Sequence, residues 1–251
     1  MEFKSKNPVL NKIESTVETN NYSYVTGETA TFSGIATKTG ILLSIIFGIS
    51  LIIWTNLSTF ADYLPGMMIG GMIVGFISVI AAGVSRNASP FFTILYAISE
   101  GLVLGTVSAI VNTALPGIVA DAVLITFAIF AFLLIAYSTG LFKVGFRFRK
   151  IFYTALFGVC IFYFFYFILS FFNIPLLQVQ NPGILIALTL GMVILASFSL
   201  LIDFDNCKLA VKDGVPKRSE WYLSLGLLVS LVWLYIEVLR LLIIISSYFR
   251  D

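Results

Sequence analysis

Four ionisable side chains sit inside otherwise apolar runs of this 251-residue chain: Glu100, Asp203, Glu237 and Arg240. A charge in hydrocarbon is costly, so such residues face a protein interior or a wet cavity and mark candidate sites of ion or proton chemistry. Asp203 and Asp205 follow the apolar stretch LASFSLLI and precede Cys207 and Lys208. Two carboxyl groups in one poorly hydrated site cannot both ionise easily, and they titrate as a coupled pair. Once ionised they are hard oxygen ligands of the kind calcium takes, although calcium wants about six to eight oxygens. The chain has no His, so any response near neutral pH falls to carboxylates or other groups with shifted pKa values.

Helical spacing sorts these residues by face. Asp203 continues a face with Ala196 and Ser199, whereas Asp205 is rotated about 200° from it. Both acids therefore cannot point inward on a regular helix. Asp203 fits the internal role, and Asp205 fits a solvated helix end near Lys208. In the last apolar run, Gly226, Ser230, Trp233, Glu237 and Arg240 form one stripe on a helix otherwise made of Leu, Val and Ile. That helix is expected to be central. Glu237 either pairs locally with Arg240 one turn away or shares a cavity with Asp203. Glu100 lies on a face with Ala97, Gly101, Gly105 and Ser108, small residues that admit a neighbouring backbone. Glu100 is either a protonated, bonded carboxyl or a functional one. Depth is an obstacle to a shared cavity: Glu237 lies roughly 24 Å of helix beyond Trp221, while Asp203 sits near a helix end. The two meet only if the seventh helix starts early, for example capped by Ser219, or the sixth runs on.

The elements that must position these residues are membrane spans. The chain is 59% hydrophobic and 11% charged, with a mean hydropathy of +1.01; a soluble domain carries about 25% charged residues. Seven segments reach the roughly 20 apolar residues that cross a bilayer: 40–60, 65–84, 90–112, 118–140, 151–172, 183–202 and 221–248. An all-α seven-helix transmembrane bundle with a central seventh helix is expected for residues 37–251, after a polar tail over residues 1–36. Asp121 suits the start of the fourth helix, where the dipole favours a negative charge. Cys160 and Cys207 do not form a disulfide framework. The net charge of +2 points to no nucleic-acid partner. Neither an enzyme nor a bound cofactor is expected, because the commonest base and metal ligand is missing and an aspartyl dyad needs two acids at one depth.

All of the 15 Lys and Arg residues except Arg240 and Arg250 fall in the tail or in alternate connections, on one side of the predicted bundle. The positive-inside rule then puts the N-terminus in the cytoplasm and the C-terminus outside.

The segments SEGLVLG, LLIDFDNCK and LVWLYIEVLRLL, together with the opening KNPVLNKIE, resemble the Bax inhibitor (transmembrane Bax-inhibitor-motif) family, in its bacterial branch. The resemblance runs from about Thr37 onward. It implies six helices around a central seventh, in the inner membrane of a bacterium. It also implies a pH-sensitive leak with calcium as the permeant ion, gated by Asp203 and Glu237, which would ligate the ion transiently. Arg86 matches a basic latch for the first acid, and Arg240 offers a counter-charge. Asp205 is an addition to the family pattern, and Arg86 stands alone rather than in a basic cluster. Some bacterial relatives restrain a membrane-bound protease, so a non-conducting regulator that uses the polar tail is the alternative.

The topology is directly testable. A cysteine introduced as Ser15→Cys reacts with a membrane-impermeant maleimide only after cells are permeabilised, whereas Ser58→Cys reacts in intact cells. The reverse pattern would invert the orientation.

Overall fold

The computed structural model describes residues 28–85, 88–172 and 182–248. Seven long helices follow one another: α1 (Phe32–Thr55), α2 (Leu64–Val84), α3 (Ser89–Ala114), α4 (Ile118–Ser138), α5 (Phe146–Phe171), α6 (Pro182–Lys212) and α7 (Ser219–Tyr248). A short helical turn, Leu57–Phe60, and a 3-10 turn, Ala61–Tyr63, lead into α2. All seven are long and apolar enough to cross a membrane, which makes the protein an all-α multi-pass bundle. Pro65 and Pro90 sit in the first turns of α2 and α3, where a missing N–H is harmless. Gly117, at a φ of 90°, turns the chain into α4, and Asp121 occupies that helix's first turn.

Three helix bounds differ by several residues from the sequence expectation. α5 begins at Phe146 rather than residue 151. α1 begins at Phe32, earlier than residue 40. α6 continues to Lys212 rather than stopping near Ile202, so Asp203, Asp205 and Cys207 are helical. The extension is held by burial of Phe204 and Cys207. Both cysteines are free.

α7 is the hub. Leu225, Leu228, Leu231, Leu234 and Val238 are buried along it. α5 lies at the rim: Phe152 is its one buried residue, and Phe157, Phe164, Phe167 and Phe171 are exposed. In lipid such exposure carries no hydrophobic penalty, because the tails are as apolar as the side chains. α1 and α3 approach closely through the small-residue stripe. A Cβ on Gly105 would meet the Ser50 backbone at 2.8 Å, and one on Gly101 would meet Ile49 at 2.9 Å. Ser50 Oγ donates to the Gly101 carbonyl at 3.1 Å. Gly71 and Gly75 serve α2 against α3 in the same way, whereas Gly66 and Gly70 meet no neighbour.

At the basic end of the bundle the chain entering α1 is stitched to the loop before α7. Ala30 N–H donates to Val215 O and Lys217 N–H to Glu28 O, each at 2.8 Å. The Glu28 carboxylate bonds the Lys217 ammonium and holds its pKa above the ordinary lysine value. Just inside this strap, the Glu220 side chain is 0% exposed and ion-paired with Lys38. It also accepts from the Thr31 N–H at 2.8 Å and the Thr31 hydroxyl at 3.2 Å. Lys38 lies 5.4 Å from the Trp221 ring centre, a cation–π distance. Ser224 Oγ reaches the Ile35 carbonyl at 3.0 Å.

Removing one partner of a buried ion pair leaves an uncompensated charge. Lys38→Met is therefore expected to cost about 3 kcal/mol, read as a lower unfolding temperature in detergent. Adding Glu220→Gln recovers part of the loss. Lys217→Met, at the exposed Glu28 pair, changes the transition little.

Candidate functional site

The Asp203 carboxylate accepts a hydrogen bond from Ser230 Oγ on α7. Ser230 Oγ in turn lies 2.8 Å from Ser199 Oγ, one turn before Asp203 on α6. This puts the acid and two hydroxyls on the α6–α7 seam. Gly226 faces the acid, and a Cβ there would sit 3.5 Å from Asp203 Oδ1, an ordinary van der Waals contact. The group borders a cavity of about 310 Å³ that Asn206, Cys207 and Tyr222 also line. A hydroxyl donates and accepts, so Ser199 and Ser230 serve either protonation state of Asp203.

Asp205 points to a different neighbourhood. Arg149 of α5 pairs with its Oδ2, Tyr137 of α4 donates to its Oδ1 at 2.9 Å, and Arg149 also donates to Asn206 at 2.9 Å. Lys208 lies over the Tyr137 ring, 5.7 Å from its centre. The solvated helix end expected near Lys208 is thus replaced by an ion pair that clamps α4, α5 and α6. The physical reason is the rotation between the two acids: the face opposite Asp203 looks at α4 and α5, not at water.

Glu237 is 6% exposed. Its Oε1 accepts from Trp233 Nε1 at 3.3 Å. Its Oε2 is buried without a hydrogen-bond partner and lies 4.0 Å from Arg240. Arg240 meanwhile donates to Tyr163 of α5 at 3.1 Å. Glu100 takes a bond from Tyr96 of its own helix at 3.0 Å.

A family model described as Bax inhibitor 1 like matches residues 7–247. The chain belongs to that family. No curated protein and no solved structure matches it.

In this Bax inhibitor 1-like chain the two expected gate acids occupy separate settings. Asp203 is bonded at the level of Ser230, and Glu237 lies seven residues further along α7, about 10 Å of helix. Both conditions for a meeting are present, since α6 runs on to Lys212 and α7 starts at Ser219, yet Asp203 bonds Ser230 and Glu237 is not among the residues that line its cavity. Arg86, the expected latch, lies outside the described residues, as do residues 1–27 of the expected tail. Among the described residues no three His, Cys, Asp or Glu side chains cluster as a metal site. Sequence reasoning missed three partners. Ser230 was visible on the Glu237 stripe but had no assigned role. Arg149 counted only among the topology charges, and Glu220 had no assigned role.

Separate settings imply independent energetics. Asp203→Asn and Glu237→Gln are expected to be additive in unfolding free energy within about 0.5 kcal/mol. A coupling well above that in a double-mutant cycle would show that the two acids share partners.

Proposed function

We propose that this protein is a calcium-permeable leak in the cell membrane whose flux rises with pH as Asp203 ionises, with its basic end in the cytoplasm. The observation that carries the reading is the cavity of about 310 Å³ on the α6–α7 seam, with Asp203, Ser199, Asn206 and Ser230 on its wall. An ionised carboxylate there raises the local concentration of cations and supplies one hard oxygen. Hydroxyl, amide and water oxygens are the remaining ligand types available to a calcium ion passing through. Protonation removes the charge and leaves a carboxylic acid tied to the Ser230–Ser199 pair, which favours the closed seam. Repulsion between Asp203 and Glu237 plays no part in this scheme. Glu237 instead acts as a second, deeper charge that Arg240 partly offsets.

A second reading, regulation of a membrane-bound protease, is favoured by the strap between residues 28–30 and Val215–Lys217. A partner gripping the preceding residues would pull on the start of α7. The protein would then act through a partner and catalyse nothing itself.

Purified protein in liposomes loaded with a calcium dye tests both readings. Flux is expected, faster at the higher of two pH values. Asp203→Asn flattens that pH dependence, while Glu237→Gln lowers flux and retains the pH dependence. Unchanged flux and pH profile in Asp203→Asn would refute the gate. A complete lack of flux in every form, with partner regulation lost on deletion of residues 1–27, would establish the regulator.

A further inference from the structure

The segment LFKVGFRFRKI, from Leu141 to Ile151, interleaves cations with bulky apolar side chains. It leads from α4 into α5 at the basic end of the bundle. Gly140, at a φ of 78°, turns the chain, and the Ala136 carbonyl takes the N–H groups of Leu141 at 2.9 Å and Phe142 at 3.3 Å. The connection is thereby folded back against the end of α4. The start of α5 is fixed to α6 by Arg149, which pairs with Asp205 and donates to Asn206. Lys208, further along α6, lies over the Tyr137 ring at the end of α4. Three elements therefore carry cations to one corner of the bundle.

The charges at this corner are unbalanced. Between Asp121 and Asp203 the chain contains no Asp or Glu. Asp205 is taken by Arg149 and by the Tyr137 hydroxyl. The next acid, Asp213, lies just past the end of α6 and is exposed. Lys143, Arg147, Lys150 and Lys208 are also exposed, and none of them has an ion pair among the described residues. The backbone adds to the excess. α5 begins with no side-chain cap and no acid in its first turn, and its first five residues include Arg147, Arg149 and Lys150. Cations at a helix start oppose the helix dipole, so the arrangement favours an anion from outside the chain.

The apolar neighbours select the kind of anion. Leu141, Phe146, Ile151 and Leu209 are exposed beside these cations, and Phe157 and Phe164 continue the apolar surface along α5. A surface that is cationic at the end of a span and apolar along it matches a molecule with an anionic head and hydrocarbon chains. Clustered Lys and Arg residues just outside a span attract anionic headgroups in this way.

We propose that this corner binds an anionic phospholipid of the leaflet at the basic end. Lys143, Arg147, Lys150 and Lys208 receive its headgroup, and the exposed face of α5 receives its chains. The Arg147 guanidinium can donate to two phosphate oxygens at once. Arg149 stays with Asp205. None of the four cations lines the Asp203 cavity, and the site does not depend on ion conduction. α5 has a single buried residue, Phe152, so a lipid held across α4, α5 and α6 would brace the helix with the fewest ties to the bundle.

The test uses the full chain in a neutral detergent. Its unfolding temperature is followed as phosphatidylglycerol is added, against phosphatidylcholine with the same chains and against inorganic phosphate. A saturable rise with phosphatidylglycerol alone is expected, weaker at high salt. The double change Arg147→Gln with Lys150→Gln raises the half-saturating lipid concentration about tenfold or more. Lys143→Gln alone raises it about fivefold, and keeps the test readable if the double change disturbs α5. Lys217→Gln, the same loss of charge at the same end of the bundle but outside this surface, leaves the response unchanged. No rise in the parent protein, an equal rise with phosphatidylcholine or inorganic phosphate, a full response in both site variants, or a loss in Lys217→Gln equal to that in Lys143→Gln would overturn the proposal.

Discussion

The foot of α7 is held by one buried carboxylate, and the arrangement of the other helices follows from it. Apolar side chains gain little by leaving lipid for another helix, so helix positions in a bilayer are set by close packing and polar ties. Glu220, fully buried, takes the N–H and hydroxyl of Thr31 and the ammonium of Lys38. Gly34 allows this approach, because a Cβ there would lie 2.3 Å from the carboxylate oxygens. The first and last spans are thereby joined at one end. With α1 docked in that way, Ser224 reaches the Ile35 carbonyl. α3 then closes on the other side of α1 through Gly101 and Gly105.

Further along α7 the polar residues act as rungs, each tied to a different neighbour. Ser230 reaches Asp203 and Ser199 of α6. Tyr235 lies 2.7 Å from Ser108 Oγ of α3. Glu237 stays with Trp233 on its own helix and close to Arg240, which turns to Tyr163 of α5. A helix placed centrally can serve several partners in this way, because residues three or four apart share a face while the intervening ones look elsewhere.

The rungs also divide the interior. Hydroxyl, amide and carboxylate groups border the cavity around Asp203. Beyond Ser230, the Tyr235–Ser108 pair adjoins an apolar groove of about 300 Å³ among α1, α3, α4 and α7, lined by residues such as Leu43, Phe47, Val123 and Phe127. Asp203 is the carboxylate on the polar cavity's wall. Glu237 stands apart, in the opposite half of the helix.

The spans, the centrality of α7 and the burial of Glu237 were legible in the residue order, because each rests on local periodicity and on the cost of a charge in hydrocarbon. The 200° rotation between Asp203 and Asp205 was legible for the same reason. It did not reveal that Asp205 meets Arg149 and Tyr137, since those residues lie far away in the chain and only helix packing brings them near. Where α6 ends was likewise illegible: DFDNCK reads as a polar exit from the membrane, and it remains helical because Phe204 and Cys207 find apolar neighbours. Glu220 shows the same limit, for an acid at a helix start looks solvated until Thr31 and Lys38 cover it. Local pattern determined which residues share a helix and which face they occupy. Relative height between helices, and hence the separation of Asp203 from Glu237, was decided by tertiary ties, because sliding one helix along another leaves every local pattern unchanged.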